Sequence, residues 1–221
     1  MRLAPQTEIR AACLLFDMDG TLVDSTRAVE RVWRRWAEAR GIPFESFRHT
    51  MHGRRAIDTM REVIPPHLDL ASELAIIDGD ELKETEGIVA TPGAAALLAA
   101  IPSGAWALVT SAQRPLAQVR MRAAGLPWPE IVISAEDIHA GKPDPECYLL
   151  ALRRLGWNAD SAVIFEDAPA GLAAGHAAGC RTIALATCAT EATLADEDWL
   201  PDLSHLALAG VDEGELRLRV K

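Results

Sequence analysis

The sequence predicts an α/β fold, a doubly wound parallel sheet with a helical segment inserted after the first strand. Apolar runs of strand length alternate with amphipathic helical stretches over much of the chain, as in parallel sheets covered by helices. Between residues 24 and 91, only helical periodicity appears. The predicted division is therefore a core domain made of residues 1–24 and 91–221, and a helical cap domain of residues 25–90.

The individual elements are predicted in order from the amino terminus. The first strand runs up to Gly20, and Asp24-Ser25 caps a helix that ends at Gly41-Ile42-Pro43. Within the insert, helices are predicted over 55–64 and 70–86. The core resumes at Thr91-Pro92-Gly93 with an alanine-rich helix. The remaining predictions are strands over 106–109, 131–134, 162–165 and 182–186, helices over 115–124, 145–155 and 169–178, and an edge strand over 203–208.

Composition limits the classes of partner and compartment. The chain has 221 residues, of which 49% are hydrophobic, and a formal net charge of −10. Because no basic run is present, neither nucleic acid nor an anionic membrane is expected as a partner. No apolar run is long enough to span a membrane. The four cysteines lack a C-x-x-C spacing, so we expect reduced thiols and a cytoplasmic protein. No association motif is evident, so a monomer is expected.

Polar residues follow several of the predicted strands, at the edge where an open α/β sheet presents its ligand site. Asp17 and Asp19 end an apolar run and precede a glycine, and two carboxylates at this spacing could hold one divalent cation. One such group alone would be weak evidence for a ligand site, but four groups in this order are strong evidence for one. The other three groups are Thr110-Ser111, Gly141-Lys142-Pro143 and Glu166-Asp167.

An acidic site that receives a phosphate ester needs a cation. Two unit charges about 4 Å apart interact by roughly 4 kcal/mol at the effective dielectric of a protein surface, so bare carboxylates would repel a phosphate dianion. Oxygen ligands in an acidic pocket favour Mg²⁺, which also accepts phosphate oxygens. The sequence therefore predicts Mg²⁺ as cofactor.

These four groups resemble the motifs of the haloacid dehalogenase superfamily of phosphohydrolases: an Asp-x-Asp, a Ser or Thr, a Lys and an acidic pair. The resemblance extends over nearly the whole chain. Within the superfamily, segments 24–40, 52–60 and 84–88 look like the sugar and sugar-alcohol phosphatases with a small helical cap. The resemblance implies a Mg²⁺-dependent phosphatase acting on small sugar or sugar-alcohol phosphate monoesters.

The resemblance also implies roles for the two acids of the first motif. Asp17 would attack phosphorus and form an aspartyl-phosphate, and its carboxylate would bind the metal. Asp19 would protonate the leaving alkoxide and then activate the water that opens the intermediate. The backbone carbonyl of Asp19 would also bind the metal.

The later motifs would bind the phosphoryl group and the metal. Lys142 would neutralise the transferring charge, and Ser111 would donate a hydrogen bond to a phosphoryl oxygen, with Thr110 as a second candidate. Asp167 would be a further metal ligand. Glu166 would either bind the metal through water or position Lys142, and the sequence leaves both possibilities open.

Specificity is expected to come from the cap, with His52-Gly53-Arg54-Arg55 as the candidate substrate-binding segment. A glycine lets the backbone approach a ligand, and the flanking His52, Arg54 and Arg55 offer hydrogen-bond donors for sugar hydroxyls or phosphate. The alternative is the first turn of a helix with solvated arginines.

Four other functions are weighed against this phosphatase. A phosphoglucomutase of the same branch has a histidine in the cap linker, and this chain has Val29 at that position instead. A haloacid dehalogenase needs no acid at Asp19, and a phosphonatase needs a cap lysine, for which only Lys83 is present outside the His52 segment. A catalytically silent binding module of the same fold would have no reason to keep all four motifs.

Overall fold

The computed structural model describes residues 1–188, 194 and 196–221. Its helices are α1 (Thr26–Glu38), α2 (Ala56–Val63), α3 (Leu70–Glu81), α4 (Ala94–Ala100), α5 (Arg114–Ala123), α6 (Glu146–Leu155) and α7 (Pro169–Ala177). Its strands are β1 (Glu8–Ala11), β2 (Cys13–Phe16), β3 (Val23–Asp24), β4 (Val89–Ala90), β5 (Trp106–Val109), β6 (Ile131–Ile133), β7 (Ala162–Glu166), β8 (Arg181–Leu185), β9 (Asp198–Leu200), β10 (Leu206–Asp212) and β11 (Glu215–Val220).

Six strands form one parallel sheet in the order β6-β5-β2-β7-β8-β9. Leu14 and Phe16 of β2 pack on one face into a hydrophobic cluster with α4 and α5, whereas Cys13 and Leu15 pack on the other face with α6 and α7. Helices therefore cover both faces, and the predicted doubly wound α/β fold is confirmed. The strand order reverses between β2 and β7, and the crevice beyond such a switch point is where α/β sheets bind ligands.

Close packing of α7 on the sheet explains two of its glycines. A side chain at Gly171 would collide with the carboxylate of Glu166, and one at Gly175 would collide with the side chain of Thr182. The four-residue glycine spacing thus permits close contact between helix and sheet.

The ends of the chain form a second sheet that the sequence prediction missed. The single strand predicted up to Gly20 is two strands, and β1 pairs with β11 in an antiparallel sheet of order β1-β11-β10. The edge strand predicted over 203–208 is confirmed only in its second half: β10 is an edge strand of this sheet but starts at Leu206, and Leu203–His205 is a 3₁₀ turn. The turn between β10 and β11 contains Glu213 and Gly214, both with positive φ, as a two-residue hairpin turn requires.

The inserted helices have a hydrophobic cluster of their own. Side chains from α1, α2, α3 and the Phe44–Ser46 turn pack together, with Trp33 and Trp36 at the centre. Helix α3 ends at Glu81, five residues before the predicted end, and α2 is one residue shorter at each end than predicted. The chain enters and leaves this segment through a two-residue antiparallel ribbon of β3 and β4, which the sequence did not indicate.

The sequence suggested that the chain has no membrane-spanning segment and that its cysteines are reduced. Within the described residues, no helix combines the length and the apolar composition needed to cross a lipid bilayer. All four cysteines are free thiols; Cys13, Cys147 and Cys180 are buried, and Cys188 is exposed.

Candidate active site

The four predicted motifs meet at the carboxyl edge of the parallel sheet. Asp17 follows β2, Thr110 follows β5, and Asp167 follows β7. The Asp17 amide donates a hydrogen bond to the Phe165 carbonyl, which extends the pairing of β2 and β7 up to the acids. Lys142 enters from the loop before α6, so residues separated by more than a hundred positions share one site.

Lys142 is at the centre of this site. Its ammonium donates to Asp17 Oδ1 at 2.5 Å, to Glu166 Oε1 at 2.5 Å and to the carbonyl oxygen of Val109 at 3.2 Å. The side chain is 1% exposed. Burial lowers the pKa of a lysine, but Asp17 and Glu166 outweigh that effect and raise the pKa of Lys142 well above its usual value. The site therefore keeps a permanent positive charge.

Glu166 uses both carboxylate oxygens within the protein. Oε1 accepts from Lys142 and, at 2.8 Å, from the hydroxyl of Tyr148, while Oε2 accepts from the amides of Asp167 and Ala168. These contacts suit the positioning of Lys142, which is one of the two roles considered for Glu166, and its place beside Asp17 and Asp167 leaves the metal-binding role open. Tyr148 was missed in the sequence; it is the only tyrosine of the chain and is buried in α6.

Three carboxylates gather in a buried cluster that fits a cation. One oxygen from each of Asp17, Glu166 and Asp167 lies within 4.8 Å of the others. Burial and then the charge of Glu166 raise the pKa of Asp17, against the opposing effect of Lys142. The same two causes raise the pKa of Asp167 to about 7. Because three acids share one ammonium, the cluster has negative charge in excess, and this oxygen-only donor set suits Mg²⁺.

The glycine of the first motif is required by the neighbouring acid. Gly20 has φ +89°, and a side chain there would collide with the carboxylate of Asp167. Thr21 then donates its hydroxyl proton to Asp167 Oδ1 at 3.0 Å. The turn after Asp19 is therefore shaped around Asp167.

Asp19 is held from both sides. Its Oδ1 accepts the hydroxyl of Ser25 at 2.5 Å, and its Oδ2 accepts Arg120 Nη1 at 2.7 Å. Ser25 was expected to cap α1, but its hydroxyl makes no capping bond, and the Asp24 carboxylate instead accepts the amide of Thr26. Arg120 was missed because α5 reads as an ordinary amphipathic helix with an arginine.

Thr110 and Ser111 have different environments. The Thr110 side chain is buried, and its hydroxyl accepts the amide of Ala112 at 3.1 Å, which shapes the turn after β5. The hydroxyl of Ser111 donates to the carbonyl oxygen of Gly53 at 3.0 Å. Ser111 thus joins the core to the His52–Arg55 segment.

The His52–Arg55 segment lies over the site, but its charged groups pair with neighbouring acids. Arg54 pairs with Glu62, and Arg55 pairs with Asp58 and donates to the carbonyl oxygen of His139 at 3.0 Å. His52 Nε2 is 3.5 Å from Glu30 Oε1. The expected donors are thus present at the site, and the arginines are engaged in ion pairs.

A cavity of about 450 Å³ lies between the helical insert and the core. It is large enough for a small sugar phosphate. Asp17 and Asp19 line it together with Ser111, the His52–Arg55 segment, and residues of α1, α3 and α5. The polar side chains that line it include Asp78 and Glu81 of α3, Arg120 of α5, and Gln113, which immediately precedes α5.

Comparison with known proteins agrees with this geometry. A family model for haloacid dehalogenase-like hydrolases matches residues 11–179. Hexitol phosphatase A from Escherichia coli (strain K12) is 45% identical over 184 residues, which is 80% of this chain and 84% of that protein. Glycerol-1-phosphate phosphohydrolase 2 from Saccharomyces cerevisiae is 35% identical over 195 residues, covering 81% and 76% of the two chains.

Among solved structures, a β-phosphoglucomutase from Clostridium difficile superposes with a TM-score of 0.77 at 16% identity, over 88% of this chain and 92% of that one. This likeness shows the fold alone. The family match and the phosphatases among the relatives go further. The chain therefore belongs to the haloacid dehalogenase-like hydrolase family, and the family and the phosphatase class predicted from its motifs are both confirmed.

Proposed function

We propose that this enzyme is a Mg²⁺-dependent phosphatase that hydrolyses small sugar or sugar-alcohol phosphate monoesters through an aspartyl-phosphate on Asp17. The observation that carries the proposal is the buried Lys142, bonded to both Asp17 and Glu166 beside Asp167. A nucleophilic carboxylate, a fixed cation and a cluster of acids are the groups that phosphoryl transfer needs.

The first step forms a bond between Asp17 and phosphorus and breaks the bond from phosphorus to the ester oxygen. The Asp17 carboxylate attacks in line, and the leaving alkoxide takes a proton from Asp19. In the second step, Asp19 takes a proton from water, the water oxygen attacks phosphorus, and Asp17 is released with inorganic phosphate. Bound Mg²⁺ would neutralise part of the negative charge of the phosphoryl group and orient it.

The other residues of the site stabilise charge or hold position. Lys142 places an ammonium beside Asp17, where negative charge develops on the phosphoryl oxygens. Ser111 is placed to turn its hydroxyl from Gly53 to a phosphoryl oxygen, with Thr110 beside it. Asp17, the Asp19 carbonyl and Asp167 would hold the metal, and Glu166 would fix Lys142.

The names of the relatives support the proposed substrate class. Their names specify hexitol phosphates, glycerol 1-phosphate and 2-deoxyglucose 6-phosphate. We rank hexitol and hexose phosphates first, followed by glycerol phosphate and 2-deoxyglucose 6-phosphate. We further propose that the protein is a cytoplasmic monomer. We also propose that it binds neither nucleic acid nor an anionic membrane, since its net charge is −10.

The mutase reaction is the main alternative on the same fold. Its cap-linker histidine is replaced by Val29, which lines the cavity. A phosphonatase is disfavoured because Lys83 is exposed and is not among the cavity-lining residues.

The test measures inorganic phosphate released by the purified enzyme from sorbitol 6-phosphate, glycerol 1-phosphate and p-nitrophenyl phosphate. Release is expected with Mg²⁺ and not with EDTA, and Asp17→Asn is expected to lower it by at least about 10⁴-fold. Equal activity of the variant would reject the mechanism. With glucose 1-phosphate, isomerised sugar phosphate without phosphate release would establish the mutase reaction instead.

A further inference from the structure

Arg120 and Glu81 form a buried ion pair across the interface of the core and the helical insert. Arg120 belongs to α5 and Glu81 is the last residue of α3, and their side chains are 6% and 7% exposed. Arg120 Nη2 lies 3.3 Å from Glu81 Oε1, and Arg120 Nη1 contacts Asp19. The guanidinium thus connects the proposed acid of the reaction to a carboxylate of the insert.

The hydrogen bonds of this pair are incomplete. Glu81 Oε1 accepts from Arg120 and from the indole N–H of Trp33 at 3.3 Å. Among the described residues, no donor bonds to the second oxygen, Oε2, and Arg120 Nε has no acceptor. Both side chains line the cavity. Arg120 Nε is enclosed by protein, so a ligand in the cavity cannot reach it, whereas Glu81 Oε2 can accept a hydrogen bond from a ligand there.

The position of the pair indicates which part of a substrate it faces. The reacting phosphate belongs at Asp17, and the ester oxygen belongs beside Asp19, which protonates it. Arg120 is bonded to Asp19, and Glu81 is bonded to Arg120. The pair therefore lies next to the alcohol part of the ester, close to the carbon that carries the ester oxygen.

We propose that Glu81 and Arg120 recognise a hydroxyl group on the carbon next to the ester carbon, so that among the ranked candidates the enzyme prefers phosphate esters of open-chain vicinal polyols to 6-phosphates of ring-form hexoses, which have no hydroxyl on that carbon. A hydroxyl is both donor and acceptor, so it can donate to Glu81 Oε2 and accept from the guanidinium at once. An ester without that hydroxyl offers Oε2 no donor, which is how a site disfavours deoxy analogues. This inference rests on the proposed phosphatase function.

Burial of the pair has a cost that a purely structural role does not explain. An ion pair taken out of water is often no more stabilising than apolar side chains of similar size. Recognition of a ligand hydroxyl gives the carboxylate a function at this position.

The test compares two esters that differ in one hydroxyl, glycerol 1-phosphate and propane-1,3-diol monophosphate. The wild-type enzyme is expected to hydrolyse glycerol 1-phosphate with a kcat/KM at least about tenfold higher. Glu81→Met should remove most of this preference, so that the ratio of the two kcat/KM values falls to within about threefold of one, with the larger loss on glycerol 1-phosphate. Asp80→Asn, at the neighbouring exposed position paired with Arg35, should keep the preference.

Other outcomes overturn the inference in distinguishable ways. Equal hydrolysis of the two esters by the wild-type enzyme, or an equal loss on both in Glu81→Met, would make the pair a structural contact. Hydrolysis of p-nitrophenyl phosphate but of neither three-carbon ester would also reject it. No hydrolysis of any ester by the folded wild-type enzyme with Mg²⁺ would reject the proposed function itself. If Glu81→Met does not fold, Glu81→Gln repeats the comparison with a side chain of the original size.

Discussion

Two ion pairs beside the cavity, one on each side, hold their charges in different ways. On the core side, Lys142 bridges Asp17 and Glu166, its partners are distant in sequence, and the side chains are almost fully buried. On the side of the insert, Arg54 pairs with Glu62 eight residues away, and the Glu62 side chain is 56% exposed. Charges on the core side are thus fixed by the fold, whereas this cap pair is local and open to water.

This difference predicts how much each ion pair contributes to activity and stability. An ion pair that is buried and cannot reach other partners has a large effect when one member is removed, whereas a solvated pair contributes little. We therefore expect the effects of substitutions on activity and stability to decrease from Lys142 outward to Arg54. Each experiment below tests one position in that order.

The largest effect is expected from Lys142→Met. Removing the ammonium leaves three buried carboxylates without a neighbouring positive charge, so kcat should fall by about 10²–10³-fold and the metal-free protein should lose about 3–5 kcal/mol of stability. Phosphate release and urea unfolding in EDTA measure the two effects. Lys83→Met, at the exposed lysine of the insert, is the control and should change neither. A Lys142 variant with wild-type kcat would place the chemistry elsewhere.

The acid cluster also predicts a pH dependence of stability. Asp17 and Asp167 have pKa values raised by burial, that of Asp167 to about 7, so the folded protein binds more protons than the unfolded chain between pH 4 and 7. Metal-free protein should therefore become less stable as pH rises through this window, by up to about 1.4 kcal/mol per pH unit for one group.

Urea unfolding in EDTA at pH 5 and pH 7 tests this prediction. Mg²⁺ should reverse the loss at pH 7, and Asp167→Asn should reduce the slope. Asp137, whose pKa is lowered mainly by hydrogen bonds from Arg154 and Ser134 against the effect of burial, loses its stabilising effect only below pH 4 and does not interfere. A metal-free protein that gains stability from pH 5 to 7 would contradict the expected excess of buried negative charge.

A smaller effect is expected from Tyr148→Phe. The change removes one hydrogen bond to Glu166 Oε1 but leaves the bond from Lys142. Stability should fall by about 1 kcal/mol, and kcat should fall by less than about tenfold, measured by unfolding and by phosphate release. A loss as large as that of Lys142→Met would mean that Tyr148 touches the reacting groups.

The smallest effect is expected from Arg54→Ala. The pair with Glu62 is solvated, so stability should change by less than about 1 kcal/mol and KM for glycerol 1-phosphate should change by only a few-fold. Glu62→Ala is the matched control, because it removes the same ion pair from the other side. A large rise of KM in Arg54→Ala alone would show that Arg54 binds substrate, as the sequence suggested, and would break the contrast between the two sides.

The acids and hydroxyls of the core side were predictable from sequence because each of these groups comes at the end of an apolar run. Asp17, Thr110 and Asp167 directly follow strands and Glu166 ends one, so their meeting is a consequence of parallel strands ending at one edge. The contacts of Arg120, Glu81 and Tyr148 depend on how helices face each other across the cavity, and helical periodicity alone does not give that orientation.

Part of the missed fold could have been found. Leu216, Leu218 and Val220 alternate with arginines after a Glu213-Gly214 turn, which is a hairpin signal that the short charged tail obscured. The two-residue ribbon of β3 and β4 has no such signal, because strands this short have no periodicity.

Gly171 has a consequence for how this fold tolerates change. Because Gly171 has no side chain beyond a hydrogen atom, the Glu166 carboxylate fits against the surface of helix α7 at this position. Any larger group at this position must either lift the helix or expel the carboxylate and, with it, the anchor of the ammonium. A glycine that looks like an ordinary packing residue is therefore required for the position of Lys142 in the active site.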